Sequence, residues 1–143
     1  MIIRGGSDLA EFILHRYRGK VVEVGAGYRT EVAAMLARRL EVVVTDRVAR
    51  DGHPAVIADD IFAPRKGLYR GASLLYSIRP LLEMQLAMGK LALDIGAEII
   101  IRPLEDEIAS LPGFGRNLVN MREARFYIFK SASEPAFPRA RQR

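Results

Sequence analysis

Short apolar runs punctuate this chain, and between them the apolar positions fall three and four residues apart. Residues 7–17 show the second pattern. Leu9, Phe12, Ile13 and Tyr17 share one helical face, with Ser7 as N-cap, Asp8 and Glu11 near the positive end, and Gly19 beyond the last turn. "KVVEV" predicts a buried strand over 20–24. A glycine turn follows it, and then a helix over 30–40 with Val32, Ala33, Leu36 and Leu40 inward. "EVVVTD" and "AVIADDIF" read as the second and third strands, and "APRKGLYRG" as a loop. "ASLLYSI" is the fourth strand, ended by Arg79-Pro80. Proline suits the first turn of a helix running to about residue 95. "AEIIIRP" is the fifth strand, and "LEDEIASL" a short helix with three acids in its first turn. Residues 112–124 read as irregular, with a short strand at 118–121, and "RFYIFK" as the last strand.

Strands that are apolar on both faces and separated by helices belong in a parallel sheet covered on each side. Right-handed crossovers then give an α/β, three-layer, Rossmann-like sheet, mostly parallel, of about six strands with helices on both faces. One such domain is expected over 1–131, followed by a basic, mobile tail at 132–143. In this architecture ligands bind beyond the carboxyl ends of the strands. Chemistry is therefore sought in the residues just after each strand.

The first strand ends in Glu23, Gly25, Ala26, Gly27, Tyr28 and Arg29. Two glycines let the backbone turn sharply and approach a ligand, but Thr30 stands where a dinucleotide fingerprint has its third glycine. A tight corner without a ligand accounts for the turn equally well. Asp46 follows the second strand, 21 residues beyond Gly25, near the ~20 expected of a carboxylate that binds ribose hydroxyls. Its alternatives are a helix cap or an ion pair with Arg47 or Arg50. Asp59 and Asp60 follow the third strand, with Ile61 and Phe62 behind them. An acid and an apolar side chain can hold a purine by its amino edge and its face. Loop capping is the alternative.

Taken in order, these residues resemble the class I S-adenosylmethionine-dependent methyltransferases. "VVEVGAG" is similar to their first motif, "VVVTD" to the second and "IADDIF" to the third, and the similarity covers roughly residues 7–102. The resemblance implies that Gly25 and Gly27 face the methionine part of the cofactor, with Ala26 between them at the cofactor site, and that Glu23 helps hold its amino group, directly or through water. It also implies Asp46 on the ribose, Asp60 or Asp59 on the adenine, and Ile61 against the base. More closely, "LLYSIRP" and "ARFYIF" resemble a small uncharacterised protein family found mainly in archaea, which shares this fold and has no assigned reaction. The methyl acceptor is left open.

After the fourth strand, Tyr76, Ser77 and Arg79 are the candidates for a substrate mouth; packing and surface charge are the alternatives. No carboxylate or amide stands there to orient an amine, so no catalytic residue is assigned. Arg29 beside the turn suits a carboxylate or a phosphate, and with the helix N-terminus it motivates NAD(P) as the alternative cofactor. His15 and His53 have no ligand spacing, and no metal is expected.

Composition adds three points. The chain has no cysteine, so it holds neither disulfides nor thiolate metal sites, and a cytoplasmic location is expected. "MIIRGGSDLAEF" has an acidic amphipathic segment where a signal peptide carries an apolar core, and no membrane association is expected. The formal charge of +5 is uneven: residues 1–115 are balanced, whereas residues 116–143 hold seven basic and two acidic side chains. That end motivates a third possibility, a non-catalytic regulatory or RNA-binding module with an RNA or protein partner; a solvated tail is the plainer alternative.

Overall fold

The structure is a computed structural model and describes residues 3–132. Of the tail expected at 132–143, residues 133–143, with Arg139, Arg141 and Arg143, lie outside the described residues. The first strand, β1 (Lys20–Val24), sits mid-sheet between β2 (Glu41–Asp46) and β4 (Ala72–Ile78), parallel to both. β3 (Val56–Ala58) pairs with the outer side of β2, and β5 (Glu98–Arg102) with β4, again parallel. β7 (Ala124–Ser131) runs antiparallel to β5, and β6 (Phe114–Met121) antiparallel to β7. The order is β3-β2-β1-β4-β5-β7-β6, seven strands where the sequence suggested about six.

Alternation along β1 shows why its valines suit a central strand. Val21 faces α1 (Gly6–Arg16) and α2 (Glu31–Leu36), while Val22 and Val24 face α3 (Leu82–Ile95). Leu9, Ile13, Val32 and Leu36 pack on the first face, together with Phe126. Met88, Leu91 and Ala92 cover the other, over Leu75, Ile99 and Phe129. The layers are therefore two helices, the sheet, and one helix. A switch of crossover direction between β1 and β4 leaves the carboxyl ends of β1, β2 and β4 facing a common crevice.

Several expectations are corrected. Helix α1 starts at Gly6 with Gly5, not Ser7, as N-cap. Gly5 has φ 74°, and a Cβ there would lie 2.6 Å from the Glu123 carbonyl oxygen, so the β6–β7 turn leaves room only for glycine. Helix α2 stops at Leu36 instead of residue 40, where a tight Arg39 N–H to Leu36 carbonyl bond closes it. The third strand is three residues long. Residues 104–111 are turn and coil, not helix. Glu105 has φ 54°, and the buried Gln85 amide donates to the Glu107 carbonyl and accepts from the Ala109 N–H, pinning an open backbone. Residues 114–121 form an eight-residue edge strand, paired with β7 from Phe114–Ser131 to Met121–Ala124. Arg122 and Glu123 make the hairpin turn, and Arg122 ties it to Asp8 and Glu11 of α1. No helix among the described residues is long and apolar enough to cross a membrane.

Candidate functional site

Both glycines after β1 have left-handed backbones, with φ 70° at Gly25 and 62° at Gly27. They differ in surroundings. A Cβ at Gly25 would meet the Met84 methyl at 2.7 Å, whereas nothing lies within 4 Å of one at Gly27. The N–H groups of Gly25 and Ala26 both donate to the Thr45 carbonyl, at 2.9 and 3.1 Å. The turn is thus fastened to the end of β2, and these two donors are already used. Helix α2, which follows, has six residues and no side-chain cap, so its N-terminus offers little dipole to a pyrophosphate.

Two cavities flank this turn. One, of about 80 Å³, is lined by Gly25, Asp46, Asp59, Asp60 and Ile61, closed by Phe62 and Met84. The other, of about 210 Å³, is lined by Glu23, Ala26, Gly27, Arg29, Ile78 and Arg79. The structure therefore brings together every residue expected at the cofactor site, in two adjoining hollows. Of the three candidates for a substrate mouth, Arg79 alone is exposed there. Tyr76 and Ser77 are buried. Ser77 donates to the Val24 carbonyl at 2.6 Å, and Tyr76 packs in the sheet with its hydroxyl turned to Glu23. Both act on the site from behind.

The carboxyl groups are held very differently. Glu23 is 1% exposed and accepts the Tyr76 hydroxyl at 2.7 Å. Burial pushes its pKa up to about 8; the Tyr76 bond opposes this, and Glu31 and Asp46 add to it. The same carboxyl drives the Tyr76 hydroxyl well above its usual range, after burial itself. Asp46 accepts Arg50 Nη1 through Oδ2 at 2.9 Å, the ion pair noted as an alternative from sequence. Arg50 also donates to the Gly27 carbonyl at 2.8 Å and lies over the Tyr28 ring at 4.0 Å. It staples the end of β2 to the glycine turn.

Asp59 and Asp60 are separated by the structure. The Asp59 side chain is 2% exposed; it accepts the Tyr69 hydroxyl at 2.6 Å and Arg65 Nε at 3.2 Å. Burial and this carboxylate raise the Tyr69 hydroxyl. Asp60 is exposed at the cavity rim and accepts the Phe62 N–H through Oδ1 at 2.9 Å. Tyr69 and Met84 complete the site from elements distant in sequence, and no local pattern marks them. Among the described residues no group of three or more His, Cys, Asp or Glu side chains gathers to hold a metal ion.

Solved structures with a similar fold include an S-adenosyl-L-methionine methyltransferase from Silicibacter pomeroyi, with a TM-score of 0.60 and 14% identity over 88% of this chain and 89% of that one. An rRNA methylase from Streptococcus thermophilus gives a TM-score of 0.60 at 14% identity, over 92% of this chain and 98% of its own. At this identity the likeness is one of fold. Sequence relatives are closer. A UPF0146 protein of Archaeoglobus fulgidus is 39% identical over 126 residues, covering 86% of this chain and 93% of the relative. One from Methanocaldococcus jannaschii is 31% identical, covering 76% and 82%. The sequence profile of the uncharacterised protein family UPF0146 matches residues 7–131, and the chain belongs to that family.

Proposed function

We propose that this protein binds S-adenosylmethionine across the glycine turn and presents it to a methyl acceptor. The observation that carries this reading is the row of carboxyl groups at the ends of β1, β2 and β3 (Glu23, Asp46 and Asp60) around two adjoining cavities. The residues suit the parts of the cofactor. Asp46 would take the ribose hydroxyls, with its Arg50 pair sharing the carboxylate. Asp60 would take the adenine amino edge, since Asp59 is occupied by Tyr69 and Arg65. Ile61 and the exposed Phe62 offer faces to the base. Glu23 would receive the methionine amino group, and Arg29 borders the same cavity for its carboxylate.

When bound, the cofactor supplies an already activated methyl group, so the protein's part is mainly positioning. The buried Glu23–Tyr76 pair and the Arg50 staple hold the binding groups in place before a ligand arrives. Both cavities are smaller than the ~300 Å³ of a usual ligand pocket, so one side of the ligand would remain open to an acceptor.

Equilibrium dialysis with labelled S-adenosylmethionine tests the proposal. Saturable binding that is weakened at least tenfold in Asp46→Ala supports it. Affinity unchanged by Asp46→Ala would show that the ribose is placed wrongly. A parallel dialysis with NAD⁺ and NADP⁺ is expected to show no saturable binding, given the missing third glycine, the short α2 and the acid at Glu23.

A further inference from the structure

Beside the Glu23 cavity lies another, of about 340 Å³, lined by Arg4, Arg29, Arg79, Arg102, Leu104 and Glu105. Its four arginines come from four separate places: the segment before α1, the turn after β1, the end of β4 and the end of β5. Among the described residues lining it, Glu105 is the one carboxylate. The backbone is built to gather them. Arg79 has a left-handed φ of 60°, and its N–H donates to the Arg102 carbonyl at 2.8 Å. Arg102 Nη2 in turn donates to the Arg4 carbonyl at 3.0 Å. Burial, and then the charge on Arg29, hold the Arg102 guanidinium below its usual range. A bound anion would favour its charged form.

Arg29 and Arg79 also line the cavity that holds Glu23. The arginine hollow therefore opens onto the place assigned to the methionine end of the cofactor, on the side away from Asp46 and Asp60. We propose that the cavity formed by Arg4, Arg29, Arg79 and Arg102 binds a phosphate group of the methyl acceptor. Planar guanidinium groups from several directions match the oxygens of a phosphate better than those of a single carboxylate. The role as an acceptor subsite rests on the cofactor reading above; the anion site itself does not.

The test is a titration of the whole chain with inorganic phosphate, followed through the Nε–H resonances of the arginines, first without and then with S-adenosylhomocysteine. The expected result is saturable shifts at Arg79 and Arg102, stronger with phosphate than with acetate at equal ionic strength. Arg4→Gln and Arg79→Gln should each weaken phosphate binding roughly tenfold or more, while Arg79→Lys retains part of it. Arg4→Gln, which stands outside the cofactor cavities, should leave S-adenosylhomocysteine affinity unchanged. No saturable shift at tens of millimolar phosphate, equal binding of acetate, or indifference to both glutamine variants overturns the site. Phosphate binding without any S-adenosylhomocysteine binding would instead sink the cofactor reading and leave the anion site standing. A short RNA and a sugar monophosphate, each competed against phosphate, distinguish a nucleic-acid backbone from a small phosphorylated acceptor.

Discussion

Replacing Glu23 with glutamine should change how stability depends on pH. Glu23 is 1% exposed, it accepts the Tyr76 hydroxyl, and burial raises its folded-state pKa to about 8 against an ordinary 4.5. Below pH 4.5 the folded and unfolded chains both carry the proton, and nothing is lost. Between 4.5 and about 8 the unfolded chain gives up its proton while the folded chain keeps it, so stability falls as pH rises. The slope is about 1.4 kcal/mol per pH unit, and the whole window amounts to at most about 5 kcal/mol. Glutamine has the same size and cannot ionise, so Glu23→Gln should match the wild type near pH 4 and exceed its stability by several kcal/mol, up to about 5, near pH 9. Urea melts of both proteins across that range measure the difference. Parallel profiles would refute the reasoning. The same shift reaches function: a ligand ammonium group beside Glu23 favours the ionised carboxyl, so cofactor binding at pH 7 should release part of a proton, and calorimetry in two buffers of different ionisation enthalpy would detect it.

Further outcomes follow from single contacts. Gly27→Ala, with φ 62° and open space around a Cβ, should cost about 1 kcal/mol. Gly5→Ala, with φ 74° and backbone 2.6 Å away, should cost several times as much; equal losses in thermal melts would contradict the close approach to the β6–β7 turn. Phe126 is fully buried and meets Phe12 edge-on at 4.9 Å, so Phe126→Ala should cost about 3–5 kcal/mol in urea melts. Asp59→Asn should lower the melting temperature by disturbing Tyr69 and Arg65, whereas Asp60→Asn should leave melting intact and weaken cofactor binding. The reverse pattern would exchange the roles of the two aspartates.

The parallel strands are legible in the sequence because each is an apolar run bounded by turn residues, and burial on both faces enforces that composition. Of β6 only the stretch at 118–121 is legible, because it is an edge strand: Arg116, Asn117, Leu118 and Asn120 are all exposed, and its register is set by β7, not by its own pattern. The acids at 105–107 favour a helix locally, but the Gln85 amide bonds hold that backbone open, a tertiary contact no local pattern records. The same division holds at the site. That Gly25, Gly27, Asp46 and Asp60 lie around neighbouring cavities is readable because strand ends in such a sheet converge. Neither the burial of Asp59 against Tyr69 nor that of Tyr76 against Glu23 is readable, since they depend on partners 10 and 53 residues away. The meeting of Arg4, Arg29, Arg79 and Arg102 requires the strand order itself.

The most direct measurement is a titration of the isotopically labelled protein with S-adenosylhomocysteine, followed through the backbone amides. The account predicts saturating shifts at Gly25, Ala26, Gly27, Asp46 and Asp60 that share one dissociation constant and are lost in Asp46→Ala. Amides that stay still at millimolar ligand, or that move only at places remote from the ends of β1, β2 and β3, would contradict it.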